Sequence, residues 1–114
     1  MAGILNVGDI NASGNIVAAG DVTAFSDKRL KEDIAPIQDA LDKVLRLTGY
    51  TFKLTTNDTL STGVIAQEVQ EVLPEAVRQN EEYLSVAYGN MIGLLIEAIK
   101  EQQKQIDELL AKQQ

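Results

Sequence analysis

The sequence predicts an α+β chain in three parts: a short fibrous β-stalk, a small α/β body with a β-hairpin, and a long coiled-coil helix. Three observations predict it. A six-residue repeat runs as Gly8-Asp9-Ile10-Asn11-Ala12-Ser13, Gly14-Asn15-Ile16-Val17-Ala18-Ala19 and Gly20-Asp21-Val22-Thr23-Ala24-Phe25. Helical and alternating apolar patterns then succeed one another up to residue 87. From Tyr88 onward there is no proline, and apolar residues recur in steps of three and four. The expected segments are therefore stalk 1–25, body 26–87 and helix 88–114.

Each repeat opens with Gly, then Asp or Asn, then Ile or Val, and carries Ala at its fifth position. Gly beside Asp or Asn marks turns, because these residues tolerate positive φ. The β-branched third residue suits a short strand. One such unit cannot bury its own apolar side, so units must stack or chains must wrap around one another. A flexible Gly/Ala linker is the plainer alternative; three consistent registers favour the repeat. Asp9, Asn15 and Asp21 read as turn residues, since one carboxylate per turn makes a poor calcium site.

In the body, Ile34, Ile37, Leu41, Val44 and Leu45 share one face of a helix expected over 34–47. Asp33 can cap it, Pro36 is tolerated in its first turn, and Gly49 can end it. Residues 50–54 alternate as a half-buried strand. Residues 55–59 read as a turn with Asn57-Asp58 at its tip, and 63–65 as the return strand of a hairpin. Residues 67–73 read as a short helix with Val69, Val72 and Leu73 inward, stopped by Pro74. Residues 82–86 read as a third strand. Tyr50, Phe52, Tyr83 and Tyr88 read as core or interface aromatics.

In the last segment Ile92, Leu95, Ile99, Gln102, Ile106 and Leu109 form a heptad seam, with Ile at a and Leu or Gln at d. Ile96 and Leu110 widen it. An amphipathic helix packed on its own domain is the alternative for the first half. The second half, rich in Gln, Lys and Glu outside the seam, reads as a projecting coil. Ile at a with Leu at d leans towards dimers; the wide seam and Gln102 leave the strand number open.

Composition bounds the chemistry. A net charge of −7 disfavours nucleic acid and anionic membranes as partners. There is no cysteine, hence no disulfide or thiol chemistry. There is no histidine, the commonest general base and metal ligand. No metal and no cofactor are expected. No apolar run approaches the roughly 20 residues of a membrane span. No signal peptide precedes the repeats, and Met1-Ala2-Gly3 reads as an added start, so the chain is expected to be a piece of a longer protein. A chain of 114 residues buries a modest core, which oligomerisation would help.

The hexapeptide Ser26-Asp27-Lys28-Arg29-Leu30-Lys31 begins where the repeat stops. A serine hydroxyl is a weak nucleophile until a base takes its proton. A lysine can be that base where burial or cationic neighbours lower its pKa. Here the neighbours are mixed: Lys28 and Arg29 on one side, Asp27, Glu32 and Asp33 on the other. Five residues exceed the three- or four-residue spacing of one helix face. A contact from Ser26 to Lys31 therefore needs a loop before the helix, or a lysine from another chain. Spacing alone is a weak signal, because most serines near lysines are ordinary surface residues.

Four ordered motifs are more specific. They are Ser26-Asp27-Lys28-Arg29-Leu30-Lys31-Glu32-Asp33-Ile34; Ala40-Leu41 and Val44 followed by Gly49-Tyr50-Thr51-Phe52; Gly63-Val64-Ile65-Ala66-Gln67-Glu68-Val69 through Leu73-Pro74-Glu75; and Tyr83-Leu84-Ser85-Val86-Ala87-Tyr88 leading into the long helix. Together they resemble the intramolecular chaperone domain at the C-termini of phage endosialidases, tailspikes and tail fibres. The resemblance covers nearly the whole chain after residue 25. It implies a homotrimer that registers three fibre strands and drives the upstream stalk to fold. It implies release by self-cleavage at Phe25–Ser26, with Ser26 as nucleophile, Lys31 as general base and water hydrolysing the ester formed. That is a single-turnover serine autoprotease with no substrate in trans.

Asp27, Gln67 and Glu68 are candidate supporting residues; Gln67 and Glu68 read first as structural hydrogen-bond or interface groups. The implied partners are further copies of the chain and its own upstream stalk. The implied setting is a virion tail-fibre precursor assembled in the bacterial host cytoplasm. Two alternatives stand beside this. One is a permanent trimerisation cap that does not cleave. The other is a similar domain in a membrane-tethered eukaryotic transcription factor, which the hexad repeats fit less well.

Overall fold

The computed structural model describes residues 3–113. Met1 and Ala2 of the expected stalk and Gln114 of the expected helix lie outside the described residues. The chain divides into two compact units, Met1–Ile34 and Ala35–Gln114.

In the first unit, residues 3–25 contain no strand, and all are exposed. Bends fall at Gly8, at Ser13 and Gly14, and at Ala19 and Gly20. None of the described glycines takes positive φ. Ile10, Ile16 and Val22, the third residues of the repeats, are exposed. A six-residue unit has no second layer to pack against within one chain.

The second unit holds the core. Its elements are helix α1 (Ala40–Leu45), strands β1 (Tyr50–Lys53) and β2 (Leu60–Gly63), helix α2 (Ala66–Val72), a 3₁₀ turn (Pro74–Ala76), strands β3 (Val77–Asn80) and β4 (Tyr83–Val86), a second 3₁₀ turn (Tyr88–Met91) and helix α3 (Ile92–Lys112). The strands form two separate antiparallel hairpins. β1 pairs with β2 from Tyr50 opposite Gly63 to Lys53 opposite Leu60. β3 pairs with β4 from Val77 opposite Val86 to Asn80 opposite Tyr83. One apolar core joins Ala40 and Leu41 of α1, Val69, Val72 and Leu73, Ala76 and Val77, and Met91, Leu94 and Ala98. The α+β class and the long terminal helix are as the sequence predicts.

Several boundaries differ, each for a local reason. α1 begins at Ala40, not 34, and ends at Leu45. Pro36 disfavours helical backbone at Ala35, and Asp39 takes the left-handed conformation at φ 55°. Ile34 and Leu45 are exposed. Asp33, also left-handed at φ 54°, does not cap the helix. The first N–H groups of α1 go instead to Glu101 of α3: Ala40 N–H donates to Oε1 at 2.9 Å and Leu41 N–H to Oε2 at 3.2 Å. Gly49 is not the stop; Arg46 N–H closes the helix on the carbonyls of Lys43 and Val44.

β2 ends at Gly63 rather than running over 63–65, because Val64 N–H leaves the ladder and donates to Tyr88 Oη at 3.3 Å. A Cβ at Gly63 would stand 2.5 Å from that hydroxyl. α2 starts one residue before the expected helix, at Ala66. β3 has no counterpart in the sequence reading, because Val77 alone of its four residues is buried and no alternation results. The last helix opens with a 3₁₀ turn and becomes α-helical at Ile92. Tyr50 and Phe52 are half-buried, whereas Tyr83 and Tyr88 are largely exposed.

Candidate functional site

The candidate site lies within the first unit. Asp27 is extended (φ −65°, ψ 135°) and caps a 3₁₀ turn formed by Lys28–Leu30; Lys31 leaves the turn extended (φ −125°, ψ 147°). Leu30 N–H donates to the Asp27 carbonyl at 3.0 Å and Lys31 N–H to the Lys28 carbonyl at 3.1 Å. Ser26 thus precedes the turn and Lys31 follows it. Lys31 Nζ donates to Ser26 Oγ at 2.6 Å. Five residues are too many for one helix face, and the short turn supplies the loop that the contact needs within one chain.

The turn is held by its own polar groups, since none of its residues is buried. Asp27 Oδ1 accepts the Arg29 backbone N–H at 2.8 Å and Arg29 Nε–H at 3.0 Å, while Oδ2 accepts Arg29 Nη2–H at 2.9 Å. The side-chain bond from Arg29 and then the backbone bond hold the Asp27 carboxyl below its ordinary value. Asp27 in turn pushes the Arg29 guanidinium upward. The sequence sets Arg29 and Asp27 as opposing influences around Lys31; in the structure they pair with each other. Phe25, the residue before the serine, is 95% exposed and lines a concavity of about 450 Å³ with Asp27, Arg29 and Leu30.

Gln67 and Glu68 belong to the second unit. Gln67 is exposed on the first turn of α2. Glu68 is half-buried and accepts the Tyr50 hydroxyl at 2.9 and 3.2 Å, which ties α2 to β1. Both of its carboxylate oxygens are thus engaged inside the body.

α3 carries two faces. Met91, Leu94 and Ala98 are buried in the body, and Glu101 continues that line by capping α1. The seam residues lie on another side: Ile92, Leu95, Ile99, Gln102, Ile106 and Leu109 are all half-exposed or more, Ile99 at 64%. Ile92 and Leu95 also border an apolar groove of about 330 Å³ with Val44, Leu47, Val64 and Tyr88. Glu101 and Gly63 are structural positions that sequence reasoning missed; only the contact each makes with a distant element reveals it. Among the described residues, no helix is long and apolar enough to cross a membrane. No group of three or more Asp or Glu side chains among them could hold a metal ion.

Comparison with known proteins bears on this arrangement. Residues 26–78 match the family described as chaperone of endosialidase, so the match begins at Ser26. The long tail fiber protein Gp37 of Enterobacteria phage K3 is 38% identical over 115 residues, covering 92% of this chain and 9% of that protein. Gp37 of Enterobacteria phage T2 is 38% identical with the same cover of this chain and 8% of its own length. Myelin regulatory factor homolog 1 of Caenorhabditis elegans is 34% identical over 94 residues, 72% of this chain and 10% of that protein. The chain therefore spans a tenth or less of the length of these relatives.

Proposed function

We propose a function for a chain that belongs, over residues 26–78, to the chaperone of endosialidase family: it assembles a phage tail fibre as a C-terminal trimeric chaperone, then releases itself by cutting Phe25–Ser26. The observation that carries the cleavage is the 2.6 Å bond from Lys31 Nζ to Ser26 Oγ at the first residue of the family match. The tail-fibre relatives, which cover 92% of the chain, support the fibre setting.

The chemistry follows from that contact. A general base must lie about 2.6–3.2 Å from the proton it takes. With Lys31 as the uncharged amine, the bond reverses its sense and Nζ accepts the Ser26 hydroxyl proton. Ser26 Oγ then adds to the carbonyl carbon of Phe25. The C–N bond between Phe25 and Ser26 breaks, and the Lys31 ammonium returns the proton to the departing amine. The product is an ester between Phe25 and Ser26 Oγ. Water, deprotonated by the same lysine, hydrolyses the ester to a Phe25 carboxylate and a free Ser26 hydroxyl. A reaction performed once per chain needs no high turnover, so a slow step suffices.

Assembly is supported by the exposed seam and the apolar groove it borders. Burying apolar side chains now in water contributes roughly 25 cal/mol per Å². A coiled coil forms quickly from local contacts, whereas pairing of β-strands between chains is slow and prone to register slips. Joining three coils raises the effective concentration of three stalk ends. Cutting the chain afterwards removes the template and traps the fibre kinetically.

Intact mass of purified wild type, Ser26→Ala and Lys31→Ala, each with its assembled mass from light scattering, tests the proposal. Wild type is expected to split into residues 1–25 and 26–114 as a trimer, with both variants whole. A wild-type trimer that stays full length on incubation would rule out cleavage and leave a permanent cap.

A further inference from the structure

We infer that Asp27 and Arg29 form a positioning clasp that brings Lys31 onto Ser26; this rests on the cleavage reading above. Five residues in extended chain would span about 17 Å. The contact exists because the segment between Ser26 and Lys31 is folded into one 3₁₀ turn. Such a turn has poor hydrogen-bond geometry and is marginal when it stands alone. No residue of this one is buried, so packing does not hold it.

What closes it is local. Two backbone bonds span the turn, from Leu30 to Asp27 and from Lys31 to Lys28. Three more converge on the Asp27 carboxylate, all from Arg29. The backbone N–H bond caps the turn. The Nε and Nη2 bonds form a fork that sets the carboxylate plane, the geometry in which arginine and carboxylate pair most strongly. Asp27 is also the residue directly after Ser26, so the clasp anchors the chain next to the serine. The side chains of Asp27 and Arg29 bond to each other and not to Ser26 Oγ or Lys31 Nζ; their effect passes through the turn.

Misplacing a reacting group by about 1 Å costs on the order of 100-fold in rate. The test measures the rate of fragment appearance in the full chain for wild type, Asp27→Ala, Arg29→Ala, the double variant and Asp27→Asn. The two single alanine variants are expected to cleave about 10- to 100-fold more slowly. The double variant is expected to be no slower than the slower single one, as for residues acting as a unit. Asp27→Asn keeps an oxygen for the Arg29 backbone N–H but gives up the charged fork, and is expected to be slowed like Arg29→Ala, no more than Asp27→Ala. A second measurement separates positioning from folding: urea midpoints in the Ser26→Ala background are expected to stay unchanged. Alanine variants that cleave at the wild-type rate overturn the clasp and leave the dyad standing. So does a double variant whose loss is the product of the single losses, or a rate loss matched by a lowered urea midpoint. A wild type that never splits overturns the cleavage reading and the clasp with it, and is told apart by its own intact mass.

Discussion

Replacing Glu101 with alanine should unfasten α1 from α3. The carboxylate accepts Ala40 N–H at 2.9 Å and Leu41 N–H at 3.2 Å, two of the donors that a helix N-terminus leaves without intrahelical partners. Ala40 is fully buried, so water does not readily replace the lost partner. A hydrogen bond to a charged group contributes about 1.5–3 kcal/mol, and loss of a side-chain cap costs about 0.5–2 kcal/mol. Two such bonds sum to about 3–6 kcal/mol, and the half-exposure of Glu101 lowers this to about 2–4 kcal/mol expected for Glu101→Ala. α1 has six residues, too few to be stable without tertiary support. Glu101→Gln keeps one acceptor oxygen and is expected to lose about half as much. The assay is urea unfolding in the Ser26→Ala background, which the proposed cleavage would leave whole, at one fixed concentration, since any assembly would make midpoints concentration-dependent. Amide exchange at Ala40 and Leu41 reports the same contact locally. A Glu101→Ala variant within about 0.5 kcal/mol of its parent, with exchange at both amides unchanged, would refute the capping role.

Three further outcomes are expected. Gly63→Ala should destabilise the body by about 1–3 kcal/mol through the clash with Tyr88 Oη. Adding Tyr88→Phe to it should recover part of that loss, and a strictly additive double variant by urea unfolding would count against the close approach. Leu94→Ala should cost about 2–5 kcal/mol from a fully buried site. Ile99→Ser, on the exposed seam, should instead lower the assembled mass seen by sedimentation while helix content in the body persists. The Asp27 carboxyl should titrate below the ordinary value of about 3.9. Its clasp is therefore intact above that value and lost as pH falls through the depressed one. Carbon NMR should show the midpoint return upward in Arg29→Gln.

Much of the body was legible because its signals are periodic and local. Val69, Val72 and Leu73 recur at helical spacing and are buried. Tyr50 and Phe52 alternate and face inward in β1. The return strand lies earlier than residue type suggests: Val64 and Ile65 have the stronger strand character, whereas the ladder uses Leu60 to Gly63. Side-chain propensity could not show that the Tyr88 hydroxyl takes the Val64 N–H out of the ladder. β3 was invisible because burying one residue in four leaves no period to read. The helix expected over 34–47 is shorter in the structure, because Ile34 and Ile37 continue the apolar spacing into backbone that Pro36 and the left-handed Asp39 divert.

The candidate site divides along the same line. Ser26 and Lys31 are identifiable from motif order, and the hexads end one residue before the serine. Asp27 and Arg29 stand two apart, and no spacing rule marks them as a fork until the 3₁₀ turn brings guanidinium and carboxylate within hydrogen-bond distance.

By itself the sequence determined the α+β class, the six-residue period, the heptad seam and the order of the four motifs. These follow from residue type and interval, which the chain carries before it folds. Tertiary structure decided what caps α1, where β2 stops, and which side of α3 is covered. Leu94 and Ala98 enter the body, leaving the seam of Ile92, Leu95, Ile99, Ile106 and Leu109 in water. A helix with two apolar stripes can bury either one, and only the shape of the packed body chooses. The cap was settled in the same way, because Glu101 stands some sixty residues from the amides it accepts. No local pattern encodes a hydrogen bond across that distance; it exists only once α1 and α3 have packed.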